Sequence, residues 1–158
     1  MTHHRLLHRL PHRTRSERGV VGGIEVLPFG VLIFVAGALL LSNLWAVVDA
    51  KLTVEAAARE AGRAYAEAPN ATTAESAALL AARDTTIGAG RNPARLELSH
   101  NGPLFARCEV VEYRASYRLP VLTIPFIGEI GHGATVTGRH REVIDPFVAG
   151  LRGTGDCD

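Results

Sequence analysis

Few residues of this chain have the type and spacing to do chemistry. Glu25 is an acid at the head of an uncharged run, Val26 to Val48. A carboxylate at the edge of a hydrocarbon layer is costly unless it reaches water or a cation, so an acid there is a functional candidate by default, with ion pairing as its chemistry. Cys108 and Cys157 are the two cysteines. They are either free thiols or the partners of a disulfide, which an oxidising compartment would favour. Such a bond would close a loop of about 49 residues, worth roughly 4 kcal/mol in the chain-entropy model. His4, His8 and His12 recur every four residues and would share a helix face, but a solvated leader accounts for them. His100, His132 and His140 fall in or near turns and strands and read as ordinary polar positions. There is no Gly-rich phosphate loop between a strand and a helix, no Gly-x-Ser-x-Gly elbow and no metal-ligand spacing beyond residue 69. Asn70-Ala71-Thr72 matches a glycosylation acceptor, a tripeptide frequent by chance. The chain is not expected to be an enzyme, and neither cofactor nor metal is expected.

The elements that hold these residues begin with the uncharged run. Its 23 residues would span roughly 34 Å as a helix, against about 30 Å for a bilayer's hydrocarbon core. Residues 1–18 carry Arg5, Arg9, Arg13, Arg15 and Arg18 against Glu17, about +4, and the remainder is about −3. Basic residues before a span stay on the cytoplasmic side, so the part after it is expected to be exported from a cell membrane crossed once. Membrane lipid is then the first partner. A basic leader before an apolar run signals membrane targeting, and nucleic acid is not expected as a partner.

Gly23, Gly30 and Gly37 recur every seven residues, two helical turns apart, and stay close to one face. Small residues on one face admit a neighbouring helix. The alternative is that glycine is simply common in membrane helices. Pro28 suits a helix start, where its missing donor is no loss. Ser42 and Asn43 would bond across to another helix or to their own backbone, and Trp45 suits the outer interface.

Helix formers continue from Asp49 to Ala68, with Val54, Ala57, Ala58, Ala61, Tyr65 and Ala68 in a slim apolar stripe. Span and extension predict one helix of roughly 40 residues, ended by Pro69 and Asn70. A second helix is expected with Thr72 as its cap and Glu75 completing a capping box. Ala74, Ala77, Ala78 and Ala81 would form its buried face with Leu80 beside them, and Gly88 and Gly90 would stop it. Alternation then predicts three or four antiparallel strands: Arg95 to Ser99, Ala106 to Leu119, Val121 to Ile127 as an edge strand or loop because of Pro125, and Ala134 to Ile144. The organisation expected is a leader (1–18), a transmembrane segment (19–48, core 26–48), a helical extension (49–68), a second helix and linker (69–92), a small antiparallel β region (93–144) and a Gly-rich tail (145–158). The fold class is α+β, a single long N-terminal transmembrane helix extending into a small exported domain.

Arg18-Gly19, the run Glu25-Val26-Leu27-Pro28 and the alanine-rich stretch from Ala57 to Tyr65 resemble the TadE-like minor pseudopilins of the tight adherence (Tad/Flp) pilus system. The resemblance covers about residues 16–68. It implies a pilin-like fold, a part in pilus assembly or secretion, and other pilin-like subunits or the assembly machinery as partners. It also implies processing by a prepilin peptidase on the cytoplasmic face, with Gly19, Val20 and Glu25 as the candidate processing residues. In such precursors the cut follows a glycine and leaves a glutamate at the fifth mature position. Here a cut after Gly19 leaves Glu25 sixth, and a cut after Val20 leaves it fifth. A new α-amino group would lie about one helical turn from Glu25, which would pair with the amine of a neighbouring subunit and set helix register. Two other readings remain at this point. One is a single-pass, unprocessed membrane-anchored binding or scaffold module. The other is a secreted protein cut at Val48-Asp49-Ala50, although the run exceeds the 7–15 residues of a usual signal core.

Overall fold

The computed structural model describes residues 26–102, 105–152 and 155–157, with only the backbone described at 121, 122 and 132. Two helices precede a three-stranded antiparallel sheet: α1 (Val26–Ala66), α2 (Ala71–Gly88), a 3-10 turn (Pro93–Arg95), β1 (Leu96–Asn101), β2 (Val110–Ile124) and β3 (Gly128–Val143). The sheet order is β1-β2-β3. The fold is α+β with one long N-terminal apolar helix. The chain divides into two compact units that meet at Ala38 and Leu39.

Within the first unit, the described part of α1 keeps Val26, Leu27, Phe29, Leu32, Ile33 and Phe34 exposed. In the second unit the same helix changes character. From Ala50 onward one face is buried: Ala50, Val54, Ala57, Ala58, Ala61 and Tyr65, followed just past the helix end by Ala68. The stripe anticipated from the sequence is therefore the one that packs. Only small side chains occupy most of it, so the helix backbone can lie close to what it covers.

α2 packs by the same device. Ala74, Ala78, Ala82 and Thr86 are buried at a strict four-residue spacing. Ala77 and Ala81 are half-buried and Leu80 is exposed, so the face is rotated from the anticipated one. The cap also differs. Asn70, not Thr72, is the N-cap, its side-chain oxygen accepting from the Thr73 amide at 3.0 Å. Asparagine is among the strongest N-cap residues, and starting the helix at Ala71 turns Thr72 outward. At the other end Gly90 takes φ +70 and the amide of Arg91 reaches back to the Thr86 carbonyl. The buried hydroxyls of Thr53 and Thr86 donate to the carbonyls one turn back, Asp49 and Ala82, so neither is left unsatisfied.

β2 alternates. Val111, Tyr113, Ala115, Tyr117 and Leu119 are buried, while Arg114 and Arg118 are exposed. Their cross-strand partners Val136, Gly138 and His140 share the inward face. The two stretches anticipated on either side of Pro120 are one strand of 15 residues. Pro120 is tolerated because β1 ends its pairing at Leu96↔Tyr117 and the register shifts between Arg118 and Pro120. A proline lacks the ladder donor and survives where there is no neighbour to donate to, or at a bulge. Gly133 lies across from this bulge, and a Cβ there would fall 1.9 Å from the Leu119 carbonyl oxygen. Pro125 belongs to the hairpin turn. The Ile127 amide bonds to the Ile124 carbonyl at 3.2 Å, and Phe126 takes φ +69. Proline at the second position and positive φ at the third describe a type II turn, where glycine or asparagine is the usual third residue.

The tail is fastened to the segment before β2. Cys108 and Cys157 form a disulfide with Cα atoms 5.1 Å apart. The Cys108 amide bonds to the Ile144 carbonyl, that of Ile144 to Glu109, and that of Arg107 to Arg152.

The closest approach of α1 to the sheet lies at β3. A Cβ on Gly138 would sit 2.6 Å from the backbone atoms of Val54 and Glu55, closer than any real contact. Gly62, buried beside Ala61 on the same helix, would place a Cβ 3.3 Å from Glu142 and His140. Gly138→Val should therefore push the helix off the sheet and cost about 3 kcal/mol, the upper end for overpacking, read as a lowered thermal midpoint. Gly62→Ala should cost clearly less, because there a side chain rather than backbone must give way.

Candidate functional site

The surface with most to offer is the exposed apolar length of α1. It is long and apolar enough to cross a membrane, and its most apolar window has no residue buried within the fold. Of the glycines at seven-residue spacing, Gly30 and Gly37 lie in this surface. A Cβ at either would meet nothing within 4 Å. Their smallness serves no contact among the described residues, where they leave a shallow face open. Gly19, Val20, Gly23 and Glu25 lie outside the described residues.

Where the apolar surface meets the domain, polar groups cluster on α1. Asn43 bonds to its own helix, Nδ2 donating to the Leu39 carbonyl at 2.8 Å. It also reaches β2. Its Oδ1 accepts from the Thr123 amide at 2.9 Å, and Nδ2 lies 3.4 Å from the Thr123 carbonyl. The side-chain amide thus acts as a strand neighbour for one residue of β2. The anticipated partners of Asn43 were its own backbone or another helix. It uses the first, and the long-range partner is the sheet. Trp45 is exposed nearby.

One turn further, Asp49 accepts from Arg91 at 2.7 Å, and the same Arg91 nitrogen donates to the Ala46 carbonyl at 3.0 Å. The guanidinium lies 5.4 Å from the Tyr117 ring centroid. Arg91 follows α2, so this one planar cation ties α1, the end of α2 and the central strand together. Sequence reading passed over it because its three partners are remote in the chain. Lys51 then pairs with Glu55 at 3.1 Å and donates to the Thr137 carbonyl on β3.

No protein-family model, curated protein or solved structure matches the chain. What its surfaces can do is argued from geometry.

Among the described residues no group of three His, Cys, Asp or Glu side chains is placed to hold a metal ion. His100 lies against Tyr65 and Tyr113, ring centroids 5.8 and 5.4 Å away, in an aromatic cluster that also takes in Phe105. His140 faces α1 and bonds to Glu142 at 3.0 Å. These two histidines are thus packing and pairing groups, more than the plain surface positions anticipated. Burial pushes the Tyr113 and Tyr65 hydroxyls to higher pKa. The Tyr113 hydroxyl is buried without a hydrogen-bond partner among the described residues, beside a cleft of about 330 Å³ lined by Glu75, Ser76, Leu98 and His100.

The outward face of the sheet is charged. Arg141 Nε donates to Glu112 at 2.7 Å, Arg118 pairs with Glu97 at 3.0 Å, and Arg114 and Arg139 stand directly opposite one another. Pairs at this exposure contribute little to stability but fix which charges face a partner. The Arg141 hydrogen bond, aided by the charges of Arg139 and Arg114, holds the Glu112 carboxyl below the ordinary value of 4.5. A carboxyl lowered by folding favours the native state above its unfolded pKa, and that preference is lost as pH falls through the lowered value. Arg141→Ala should raise the Glu112 titration midpoint toward the ordinary value and shift the onset of acid unfolding upward in pH. Carboxyl-carbon NMR across a pH series checks the first and a melt series the second.

Proposed function

We propose that this chain is a pilin-like envelope protein that acts in assembly of a Tad/Flp-type pilus. One observation carries the reading. A single helix, α1, is apolar and exposed through its first half and locked by small residues to an α+β domain through its second. That division suits a subunit whose helix is held in the bilayer and then exchanged into helix–helix contacts, while its domain meets partners outside. The resemblance of residues 16–68 to TadE-like minor pseudopilins supports the same reading.

The mechanism is assembly rather than catalysis. The N-terminus stays in the cytoplasm and the domain is exported. A prepilin peptidase cuts after Gly19 or Val20, and the amine released pairs with Glu25 of a neighbouring subunit. Gly30 and Gly37, which crowd against nothing among the described residues, let the neighbouring helix come close. Dispersion contacts then replace lipid contacts along the apolar face.

The secreted reading fits poorly. A cut after Ala50 would divide α1 at a buried residue and remove Asn43, Ala46 and Asp49, with their bonds to Thr123 and Arg91. The second reading worth keeping is an unprocessed, single-pass anchored binding or scaffold module. The spacing of Glu25, sixth after a cut at Gly19, favours it.

The N-terminus of the mature protein, taken from membranes by intact mass and terminal peptide sequencing, decides between them. A start at Val20 or Val21 is expected, and an intact leader would put the anchored module in its place. In the processed protein Glu25→Ala should leave membrane insertion intact and impair assembly; unchanged assembly would remove Glu25 from the mechanism. Gly30→Ile should leave the domain's melting unchanged and weaken helix–helix association about tenfold, roughly 1.4 kcal/mol, by crosslinking in membranes.

A further inference from the structure

We propose that the tip of the β2–β3 hairpin, Pro125 to Ile127, docks into the outer interface of the bilayer and gives the domain a second membrane attachment beside α1. The inference rests on the reading that α1 is a membrane anchor.

The direction of the hairpin comes from its contacts with α1. Gly62 faces His140 and Glu142, Val54 and Glu55 face Gly138, Lys51 reaches Thr137, and Asn43 reaches Thr123. Followed toward the start of the helix, these contacts run toward the turn of the hairpin. The two paths match in length. From Gly62 to Asn43 the helix rises about 28 Å, and the ten residues from Tyr113, the neighbour of Gly62 on β2, to Thr123 rise about 33 Å. Beyond Thr123 the turn therefore lies past Asn43, on the side of Leu40 and Leu41.

That end of the domain is apolar. Leu119 to Gly128 carries no charge. Phe126 is fully exposed, Ile127 is 74% exposed and Ile130 48%. On α1, Leu40, Leu41, Leu44 and Trp45 are all more than 60% exposed. These exposed side chains lie toward the same end of the second unit, more apolar surface than scattered residues would make. Phe126 also holds φ +69 at a turn position that suits glycine. A bulky residue kept in that conformation, with its ring fully exposed among the described residues, points to a role outside the chain.

The polar groups nearby are already partnered. Asn43 satisfies both the amide and the carbonyl of Thr123. Glu129, the charge nearest the tip, receives two hydrogen bonds from Arg95. Open strand edges are excluded from the hydrocarbon core, which limits the tip to the interfacial layer.

The test uses the full chain in vesicles of phosphatidylethanolamine and phosphatidylglycerol, with lipids brominated near either end of the acyl chain. Trp45 in the unaltered protein reports the anchor. In a Trp45→Phe background, Phe126→Trp and, separately, Ile127→Trp report the tip, and Thr72→Trp reports the far end of α2. The expected result is that both tip indoles lose fluorescence as strongly as Trp45, more to shallow than to deep bromine, while the indole introduced at position 72 loses none. Tip indoles unquenched beside a quenched Trp45 would overturn the proposal and leave the anchor standing. Stronger quenching by deep bromine would overturn the interfacial placement. Trp45 unquenched would overturn the anchor reading itself, and the proposal with it.

Discussion

The fold depends on how closely α1 approaches the sheet. At Gly138 there is no room for a methyl group between β3 and the helix backbone at Val54 and Glu55. Such an approach demands small residues on both sides, and the stripe Ala50, Ala57, Ala58, Ala61 supplies them on the helix. A helix held at this distance leaves little space for large side chains, so the helices contribute mostly alanine to a core in which Tyr65, Val111, Tyr117 and Leu119 join the largest fully buried apolar side chains, Tyr113, Ile144 and Val54. Burial of each of those three contributes about 1.5–3 kcal/mol. Alanine contributes less per residue but loses no rotamer freedom on folding. Many close, entropically inexpensive contacts thus replace a bulky core, and one added carbon at Gly138 would undo them.

From that approach the rest of the second unit follows. Because the helix lies along the hairpin and not across one end of it, the strands can pair for 15 and 16 residues beside a single helix. Polar groups then have to be settled at each place where helix and strand part. Asn43 serves the Thr123 backbone, Lys51 the Thr137 carbonyl, and Arg91 the Ala46 carbonyl together with Asp49. A hydrogen bond adds only about 0.5–1.5 kcal/mol, but a buried partner left unsatisfied costs about 1–3 kcal/mol. These three side chains therefore fix the alignment of helix and sheet more than they add to stability. The disulfide does the corresponding task for the tail, tying Cys157 back to Cys108 at the head of β2.

What could be read from the chain follows the range of the forces involved. Periodicity is local, so the length of α1 and the stripe from Val54 to Tyr65 were legible, as were the stop at Gly90 and the strand character after Pro93. Positions set by tertiary contact were not. Thr72 with Glu75 made the better capping pattern on paper, but Asn70 takes the cap, its side chain and carbonyl meeting the Thr73 and Ala74 amides. Pro120 looked like a break, and only the early end of β1 makes it harmless inside a strand. Gly138 and Arg91 drew no notice, since their partners on α1 lie more than forty residues away. The glycines at 30 and 37 are the opposite case. Their pattern is visible in the sequence and nothing among the described residues packs against them.

That contrast bears on how one helix serves two environments. On α1 the buried stripe begins at Ala50, and Asp49 and Lys51 flank it as the first charges after the apolar run. On one side of that point small residues are spent on the chain's own sheet, and on the other they are left open. Had the glycines at 30 and 37 been needed for folding, a neighbouring helix could not use them without competing with the domain. Among the described residues the domain's alignment is set beyond Leu39, by Asn43, Arg91 and the approach at Gly138, so on the assembly reading proposed above the apolar half would change its surroundings from lipid to protein without disturbing the packing that defines the fold. Separation of the two packing tasks along one helix is what an exchange between membrane and assembly requires.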